Sequence, residues 1–168
     1  MNNFWRFCIK IAFLFIPQRR EGDKLRGMIY KPFLKKCGKD FRVYDQAFIY
    51  EPNSLSVGDN VLVGFNAYIG AGEVHLGDGV TLGPFSMLAP TNRLRKHGSF
   101  RFGGIEAGSI HIGSGTQVAA HACITYEVKI GKGCLVAAGA VVTKSFKDNV
   151  LIGGVPAKVI KEYDDTQT

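Results

Sequence analysis

The stretch IGSGTQVAAHACITYEVKIGKGCLVAAGAVV, residues 112–142, places an apolar residue at every sixth position. These apolar residues are Ile112, Val118, Ile124, Ile130, Val136 and Val142. A second residue suited to burial stands two places before each of the last five, which gives the period of a strand with one buried face. The position after each apolar residue is small or β-branched, as a tight turn favours. A six-residue strand and turn cannot bury its inner face alone, so the pattern predicts stacked coils, an all-β parallel β-helix.

The same spacing extends outward from this stretch toward the N-terminus, and three hexads make one coil. Earlier hexads are marked by Val43 and Ile49 and, after an interruption at Pro52, by Val57, Val63, Ile69, Leu76, Leu82 and Leu88. Stacking predicts three inward rows: Val57, Leu76, Ile112, Ile130; Val63, Leu82, Val118, Val136; and Ile69, Leu88, Ile124, Val142. In this register, residues 89–110 form a long basic loop at one corner, and long loops on rigid scaffolds usually carry function.

The register divides the chain into three parts. Residues 1–42 form a basic, apolar helical segment, with one helix over residues 4–16 and a second over about residues 23–36. Residues 43–152 form the β-helix repeat domain, from which the loop 89–110 protrudes. Residues 153–168 form a C-terminal cap and tail, in which Pro156 opens a short closing helix.

The first predicted helix, FWRFCIKIAFLFI, is apolar except for Arg6 and Lys10. Its thirteen residues are too few to span a bilayer. No small-residue cleavage site follows, so we expect no signal peptide. The helix either covers an end of the solenoid or lies in a membrane interface, where the basic residues up to position 26 attract anionic lipid.

The net charge of +7 is concentrated at the N-terminus. Residues 1–42 hold eleven Lys or Arg and three Asp or Glu, a net +8, whereas residues 43–168 hold ten and eleven, a net −1. The repeat domain therefore offers no basic face with base-stacking groups, and we expect no nucleic-acid partner. The four cysteines form no CxxC pair, which is typical of a reduced, cytoplasmic protein. Contact with the inner face of a membrane through residues 4–26 is compatible with that location.

One corner of the predicted prism carries small residues in successive coils. Stacking in register places Ala119-Ala120-His121 beside Ala137-Ala138-Gly139. Such a corner leaves backbone groups accessible, so an extended chain bearing amides can lie against it and hydrogen-bond to the main chain. The alternative is that Ala and Gly merely suit tight turns, and spacing alone does not decide between the two.

Three stretches carry information that the six-residue spacing alone does not. IGKGCLVAAGAVVTKSF (residues 130–146), GGVPAKVIK (153–161) and GDKLRGMIYKPFLKKCG (22–38) resemble the hexapeptide-repeat acyltransferases, in the polysaccharide and sugar O-acetyltransferase branch. The resemblance covers about residues 22–162. It implies a left-handed β-helix, a homotrimer, acetyl-CoA as acyl donor bound between subunits, no metal, and a sugar or cell-envelope polysaccharide precursor as acceptor.

The resemblance also assigns residues to the acetyl-CoA site. It implies that the pantetheine arm is lined by the two small turns, at Ala119, Ala120, Ala137 and Ala138. The nucleotide end would lie near Lys144, Pro156 and Lys158, where cations suit phosphates.

The chain departs from this branch at three functional positions. The branch's catalytic His falls at Thr91-Asn92-Arg93, its tryptophan at Gln117, and the active-site Asn of the galactoside enzymes at Gly64, with Asn66 nearby. A shifted base or a loss of catalysis follows from the first departure. A catalytically inactive scaffold or binding subunit is therefore the alternative function.

Four histidines remain as candidates for a general base or a metal ligand. His75 and His111 stand on outward positions and are predicted surface residues. His97 lies in the long loop and His121 in the small-residue turn, so these two are the candidate catalytic residues. Glu127, where the loop leaves, either orients an imidazole or solvates its corner. The histidine spacings of 22, 14 and 10 argue against a γ-carbonic-anhydrase-like zinc site, which needs two close ligands.

Overall fold

Two helices precede the solenoid in this computed structural model, which describes residues 3–17 and 20–164. They are α1 (Asn3–Leu14) and α2 (Arg20–Tyr30), and short 3₁₀ turns follow at Lys31–Phe33 and Pro52–Ser54. The second helix ends earlier than expected, because Pro32 lacks the N–H that would continue it. Among the described residues, every helix is too short or too polar to pass through a bilayer.

Short strands make up the rest of the described chain. In order they are β1 (Lys36–Cys37), β2 (Arg42–Val43), β3 (Phe48–Ile49), β4 (Leu55–Val57), β5 (Leu62–Val63), β6 (Tyr68–Ile69), β7 (Glu73–Leu76), β8 (Thr81–Leu82), β9 (Met87–Leu88), β10 (Thr91–Arg93), β11 (Ile105–Ala107), β12 (Ser109–Ile112), β13 (Gln117–Val118), β14 (Cys123–Ile124), β15 (Lys129–Ile130), β16 (Leu135–Val136), β17 (Val141–Val142), β18 (Val150–Gly154) and β19 (Ala157–Glu162).

All of these strands except β10 and β11 assemble into three sheets that form the faces of a prism. Sheet A is ordered β1-β4-β7-β12-β15, sheet B β19-β18-β16-β13-β8-β5-β2, and sheet C β17-β14-β9-β6-β3. Neighbouring strands within each sheet run parallel, with the exception of β18 and β19 in sheet B, which run antiparallel. Successive strands of the chain belong to successive sheets, which is the topology of a parallel β-helix.

The predicted stacking register is confirmed on all three faces. On sheet A, Leu76 lies opposite both Val57 and Ile112. The inward rows are almost free of solvent: Val63, Leu82, Val118 and Val136 are fully buried on sheet B, as are Leu88, Ile124 and Val142 on sheet C. Burying one such side chain contributes about 1.5–3 kcal/mol, so the rows contribute substantially to the apolar core.

The long segment between β9 and β12 is partly ordered as a ribbon. Strands β10 and β11 pair antiparallel, with Thr91 opposite Ala107 and Arg93 opposite Ile105. The chain then enters β12, where Ile110 is fully buried. The expected loop is therefore a β-hairpin that protrudes where sheet C passes to sheet A.

The prediction of a short C-terminal helix beginning at Pro156 is wrong. Instead, the chain turns back and β19 pairs antiparallel with β18, placing Lys158 opposite Gly153 and Ala157 opposite Gly154. The β-branched residues Val159 and Ile160 favour a strand. The edge of β18 would otherwise present unpaired backbone groups, so the returning strand also protects that edge.

Candidate active site

A ridge of small residues runs along the corner between sheets B and C. Each member directly follows an inward residue of sheet B, and the members are Gly64, Gly83, Ala119, Ala137 and Gly153. Their backbones are close: a Cβ on Gly83 would lie 2.8 Å from the backbone of Ala119. Successive turns are joined by bonds such as Ala137 N–H to the Ile152 carbonyl, 2.7 Å.

The two alanine turns of this ridge leave hydrogen-bonding groups available. Gly139 N–H donates to the Ala120 carbonyl at 3.0 Å, which locks one turn onto the other. Within the described part of the chain, the N–H groups of Ala120 and Ala138 have no hydrogen-bond partner. Ala138 is exposed and Ala120 half-buried. The ridge can therefore donate to carbonyl groups of an extended ligand without displacing an internal bond.

An aromatic column stands beside the same ridge. Phe65 and Phe85 meet edge to face at 5.6 Å, and the His121 ring stacks on Phe85 at 4.9 Å with planes 1° apart. The backbone of His121 has a φ of 59°, and its N–H donates to the Pro84 carbonyl at 3.0 Å. His121 is exposed, so this imidazole borders the ridge while its flat face is occupied by Phe85.

The predicted nucleotide-end residues fall at two different places. Pro156 and Lys158 belong to the β18–β19 hairpin, which continues the ridge beyond Ala137, and both are exposed. Lys144 follows β17 and so lies at the opposite edge of sheet C, with its ammonium 5.7 Å from the Phe146 ring centre. Of the two lysines, Lys158 is thus the one adjoining the ridge.

His97 occupies the tip of the protruding hairpin. Lys96 and Ser99 exchange backbone hydrogen bonds of 2.9 and 3.0 Å across a two-residue turn made by His97 and Gly98. Both turn residues have positive φ, 48° and 81°, as tight hairpin turns require. The imidazole is exposed and lies on a different corner of the prism from the ridge of its own chain.

The hairpin is strongly cationic. Its basic residues are Arg93, Arg95, Lys96 and Arg101, and all four are exposed. Within the described residues none of them forms an ion pair, although Arg101 stacks on the Phe102 ring at 5.7 Å. The family resemblance places a catalytic His at Thr91-Asn92-Arg93, a stretch that forms β10 and offers the fixed positive charge of Arg93 but no imidazole.

At the base of the hairpin lies an open cleft of about 590 Å³ that sequence reasoning missed. The residues that line it include Glu51, Glu73, Glu127 and Lys35. Lys35 forms an ion pair with Glu73. Burial, together with the negative charges of Glu106 and Glu127 nearby, raises the pKa of the Tyr126 hydroxyl. Glu127 is exposed where it lines this cleft, so both roles given to it by the sequence, orienting an imidazole or solvating its corner, stay predictions.

The other two histidines lie away from both the small-residue ridge and the hairpin tip. His75 and His111 stand on neighbouring strands of sheet A and face outward, as the sequence predicts. Among residues 3–17 and 20–164, no group of three or more His, Cys, Asp or Glu side chains is arranged to hold a metal ion.

The prism of six-residue repeats and its small-residue ridge define the class to which the chain belongs. A model of the hexapeptide repeat of succinyl-transferase matches residues 54–83 and 110–144. The galactoside O-acetyltransferase of Escherichia coli is 31% identical over 130 residues, which cover 73% of this chain and 64% of that protein. The chain thus spans less than two thirds of the length of the first curated relatives it matches.

Solved structures share the whole architecture. A galactoside acetyltransferase in complex with coenzyme A superposes with a TM-score of 0.83 at 26% identity, covering 96% of this chain and 82% of that one. A hexapeptide-repeat acetyltransferase of Vibrio cholerae, complexed with acetyl coenzyme A, gives 0.82 at 20% identity, covering 96% and 88%. The fold is the predicted left-handed parallel β-helix, and the chain carries the hexapeptide repeat and is similar to hexapeptide-repeat acetyltransferases.

Proposed function

We propose that this protein is an acetyl-CoA-dependent O-acetyltransferase acting on a hydroxyl of a sugar or cell-envelope polysaccharide precursor. The observation that carries the proposal is the ridge at Ala119–Ala120 and Ala137–Ala138, with two N–H groups that have no partner in the described chain. A ridge of this kind suits the amides of a pantetheine arm. The similarity to proteins named galactoside O-acetyltransferase, one of them holding coenzyme A, supports the same donor.

We also propose an orientation for acetyl-CoA along the ridge. The pantetheine arm runs along Ala120 and Ala138, and the nucleotide end lies toward the β18–β19 hairpin, where Pro156 shapes the turn and Lys158 contacts phosphate. Lys144 is the second candidate for a phosphate contact, although it lies across sheet C from the ridge. The thioester then lies toward His121 and the earlier coils.

We infer that the functional form is a homotrimer. The outward row of sheet C is apolar or weakly polar throughout, comprising Phe48, Tyr68, Met87, Cys123 and Val141. Met87 is 44% exposed in the single chain, and a continuous apolar row of this kind favours contact with another surface. By contrast, the outward row of sheet A is polar, with Lys36, Ser56, His75, His111 and Lys129.

Transfer proceeds directly from donor to acceptor. The base takes the proton of the acceptor hydroxyl while the oxygen attacks the thioester carbonyl, and collapse of the tetrahedral intermediate expels the CoA thiolate, which takes up a proton. Backbone N–H groups stabilise the developing oxyanion. We assign the base to His97, which the hairpin carries away from its own ridge and toward a groove completed by a neighbouring subunit. His121, which borders its own ridge, is the second candidate.

A catalytically inactive binding subunit is the second candidate function. The specific observations that favour it are Thr91-Asn92-Arg93 where the family resemblance places a catalytic His, and the exposed Gln117 in place of its tryptophan.

Turnover decides between the two functions. Release of free CoA from acetyl-CoA is measured against a panel of nucleotide sugars and envelope glycans, together with calorimetric binding of acetyl-CoA. Acceptor-dependent CoA release supports the enzyme. Binding of acetyl-CoA without release for any acceptor would favour the inactive subunit, and failure to bind acetyl-CoA would remove both the donor and the ridge assignment.

A further inference from the structure

Helix α1 presents apolar side chains in two directions. Ile9 is buried and Phe13 packs on the core, with its ring 5.5 Å from the ring of Tyr30 in an edge contact. The other side is open: Ile11 and Leu14 of α1, and Phe15 in the turn that follows it, are 41%, 78% and 82% exposed. A helix that only closed the end of the solenoid would need the first side, so the second requires a separate explanation.

The exposed side is held in place by the rest of the chain. The fully buried guanidinium of Arg26 donates to the carbonyls of Ile16 and Pro17, at 3.0 and 3.3 Å, and to Asp23 at 3.0 Å. It also faces Asp45 of the first coil at 3.6 Å. The end of α1 is therefore fixed to both α2 and the solenoid.

A close backbone approach strengthens this attachment. Gly22 lies so near the Pro17 carbonyl that a Cβ would collide with it. Leu14 and Phe15 cannot then fold back onto the core without breaking the bonds of Arg26, so they are held toward the outside.

Basic residues predominate in the sequence that flanks the exposed apolar residues. The first twenty residues contain Arg6, Lys10, Arg19 and Arg20 and no Asp or Glu. Arg20 is exposed at the start of α2, next to the exposed Glu21, whereas the ammonium of Lys24 lies 3.5 Å from the Asp40 carboxylate. Apolar insertion combined with basic residues is the pairing that attaches interfacial helices to anionic membranes. Each basic residue near such a surface contributes about 1 kcal/mol.

We propose that α1 docks on an anionic lipid bilayer, lying in the interface with Leu14 and Phe15 inserted and the nearby basic residues facing lipid headgroups. A second copy of the chain fits this surface less well, because stacking two such helices would bring like charges together without a compensating acidic residue in the first twenty. The bilayer satisfies both the apolar and the charged groups at once.

The test uses the full chain with vesicles of phosphatidylcholine alone or mixed with phosphatidylglycerol. We expect sedimentation with the anionic vesicles at low salt and release as salt rises. Trp5 is the only tryptophan and belongs to α1, so its emission should shift to the blue on binding. Absence of sedimentation with anionic vesicles at low salt would overturn the proposal.

Variants separate docking from other roles of the helix. The double change Leu14→Ser and Phe15→Ser should weaken vesicle binding roughly a hundredfold through lost apolar burial, and Arg20→Glu should weaken it about tenfold or more. The matched control is Phe102→Ser, which removes an aromatic ring of similar exposure, 73%, from the hairpin and should leave vesicle binding unchanged. Equal loss in the control, or unchanged binding in the double variant, would contradict docking through α1. A smaller particle by light scattering for the double variant would identify a second copy as the occupant and also overturn the proposal.

Discussion

The imidazole rings of His75 and His111 stack face to face on sheet A, with centroids 4.4 Å apart and planes 7° apart. Burial, the neighbouring His75 and the Lys129 ammonium together lower the pKa of His111, and Glu73 opposes them weakly. Two stacked rings cannot both take a proton without repulsion. The fold therefore holds His111 neutral at a pH where an unfolded chain would charge it.

This relationship predicts an acid-sensitive stability. The folded pKa of His111 lies below its ordinary value of 6.5, so the unfolded state binds more protons as the pH falls through that value. Stability should therefore be fully present above pH 6.5 and decline as the pH falls toward the folded pKa. We expect the melting temperature to drop on acidification from neutral pH, and to drop less in His111→Gln. The control His97→Gln, at the exposed hairpin tip, should keep the wild-type pH dependence, and an unchanged profile in His111→Gln would contradict this account.

The ridge predicts a steric effect on the donor. Ala138→Leu places a branched side chain where the pantetheine arm is proposed to lie, while folding should survive because Ala138 is exposed. We expect the KM for acetyl-CoA to rise with little change in melting temperature. Ala107→Leu, an equivalent change at an exposed position of β11, should leave that KM unaltered. If Ala138→Leu also leaves it unaltered, the donor lies elsewhere.

The repeat domain could be predicted because its core depends on a strictly local pattern. Each hexad buries an apolar residue at a fixed position, so the alignment of Val57, Leu76 and Ile112 follows from counting. The C-terminal segment could not be predicted this way, because a proline such as Pro156 is compatible with both a helix start and a turn. Its outcome depended on the open edge of β18, which is a tertiary feature.

The candidate site was accessible to sequence reasoning only in part. The stacking of Ala120 on Ala138 follows from the register. The same register, which sets Val118 opposite Leu82, also places His121 beside Phe85, although that contact was not predicted from the sequence. The cleft at the hairpin base was missed, because Glu51, Glu73 and Glu127 come from separate coils. The one signal that pointed there was Glu127, at the corner where the long segment leaves.

The cations of the hairpin predict a preference for an anionic acceptor. Arg93, Arg95 and Lys96 have no acidic partner within the described chain, so their charge is available to a nucleotide sugar or acidic glycan. The double change Arg93→Ala and Arg95→Ala should raise the KM for a charged acceptor and reduce its dependence on salt. The same change should have little effect on a neutral acceptor or on the KM for acetyl-CoA. Lys132→Ala, at an exposed corner between sheets A and B, serves as the charge control, and an equal effect there would indicate nonspecific steering.

Assembly gives a prediction that does not require a known acceptor. Met87→Glu would place a carboxylate in the apolar outward row of sheet C, where a neighbouring subunit would have to desolvate it. We expect light scattering to report a trimer for the wild type and a smaller species for this variant. Ser56→Glu makes a comparable change on the polar face of sheet A and should remain trimeric. A stable wild-type monomer at micromolar concentration would refute the assembly.

The base assignment predicts different losses for two histidines. His97 is exposed at a hairpin tip and makes no stacking contact among the described residues, so His97→Ala should leave stability nearly unchanged. If it accepts the acceptor proton, kcat should fall by roughly 10²–10⁴, with little change in the KM for acetyl-CoA. His121→Ala removes the ring stacked on Phe85 and should mainly raise that KM, because His121 borders the ridge.

His97→Gln tests whether proton uptake is required, since glutamine keeps a polar side chain but cannot take up a proton. This variant should be as inactive as His97→Ala. If His97→Ala keeps a near-normal kcat while His121→Ala loses it, the base is His121, and the groove is completed by the chain's own turn and not by a neighbour's hairpin.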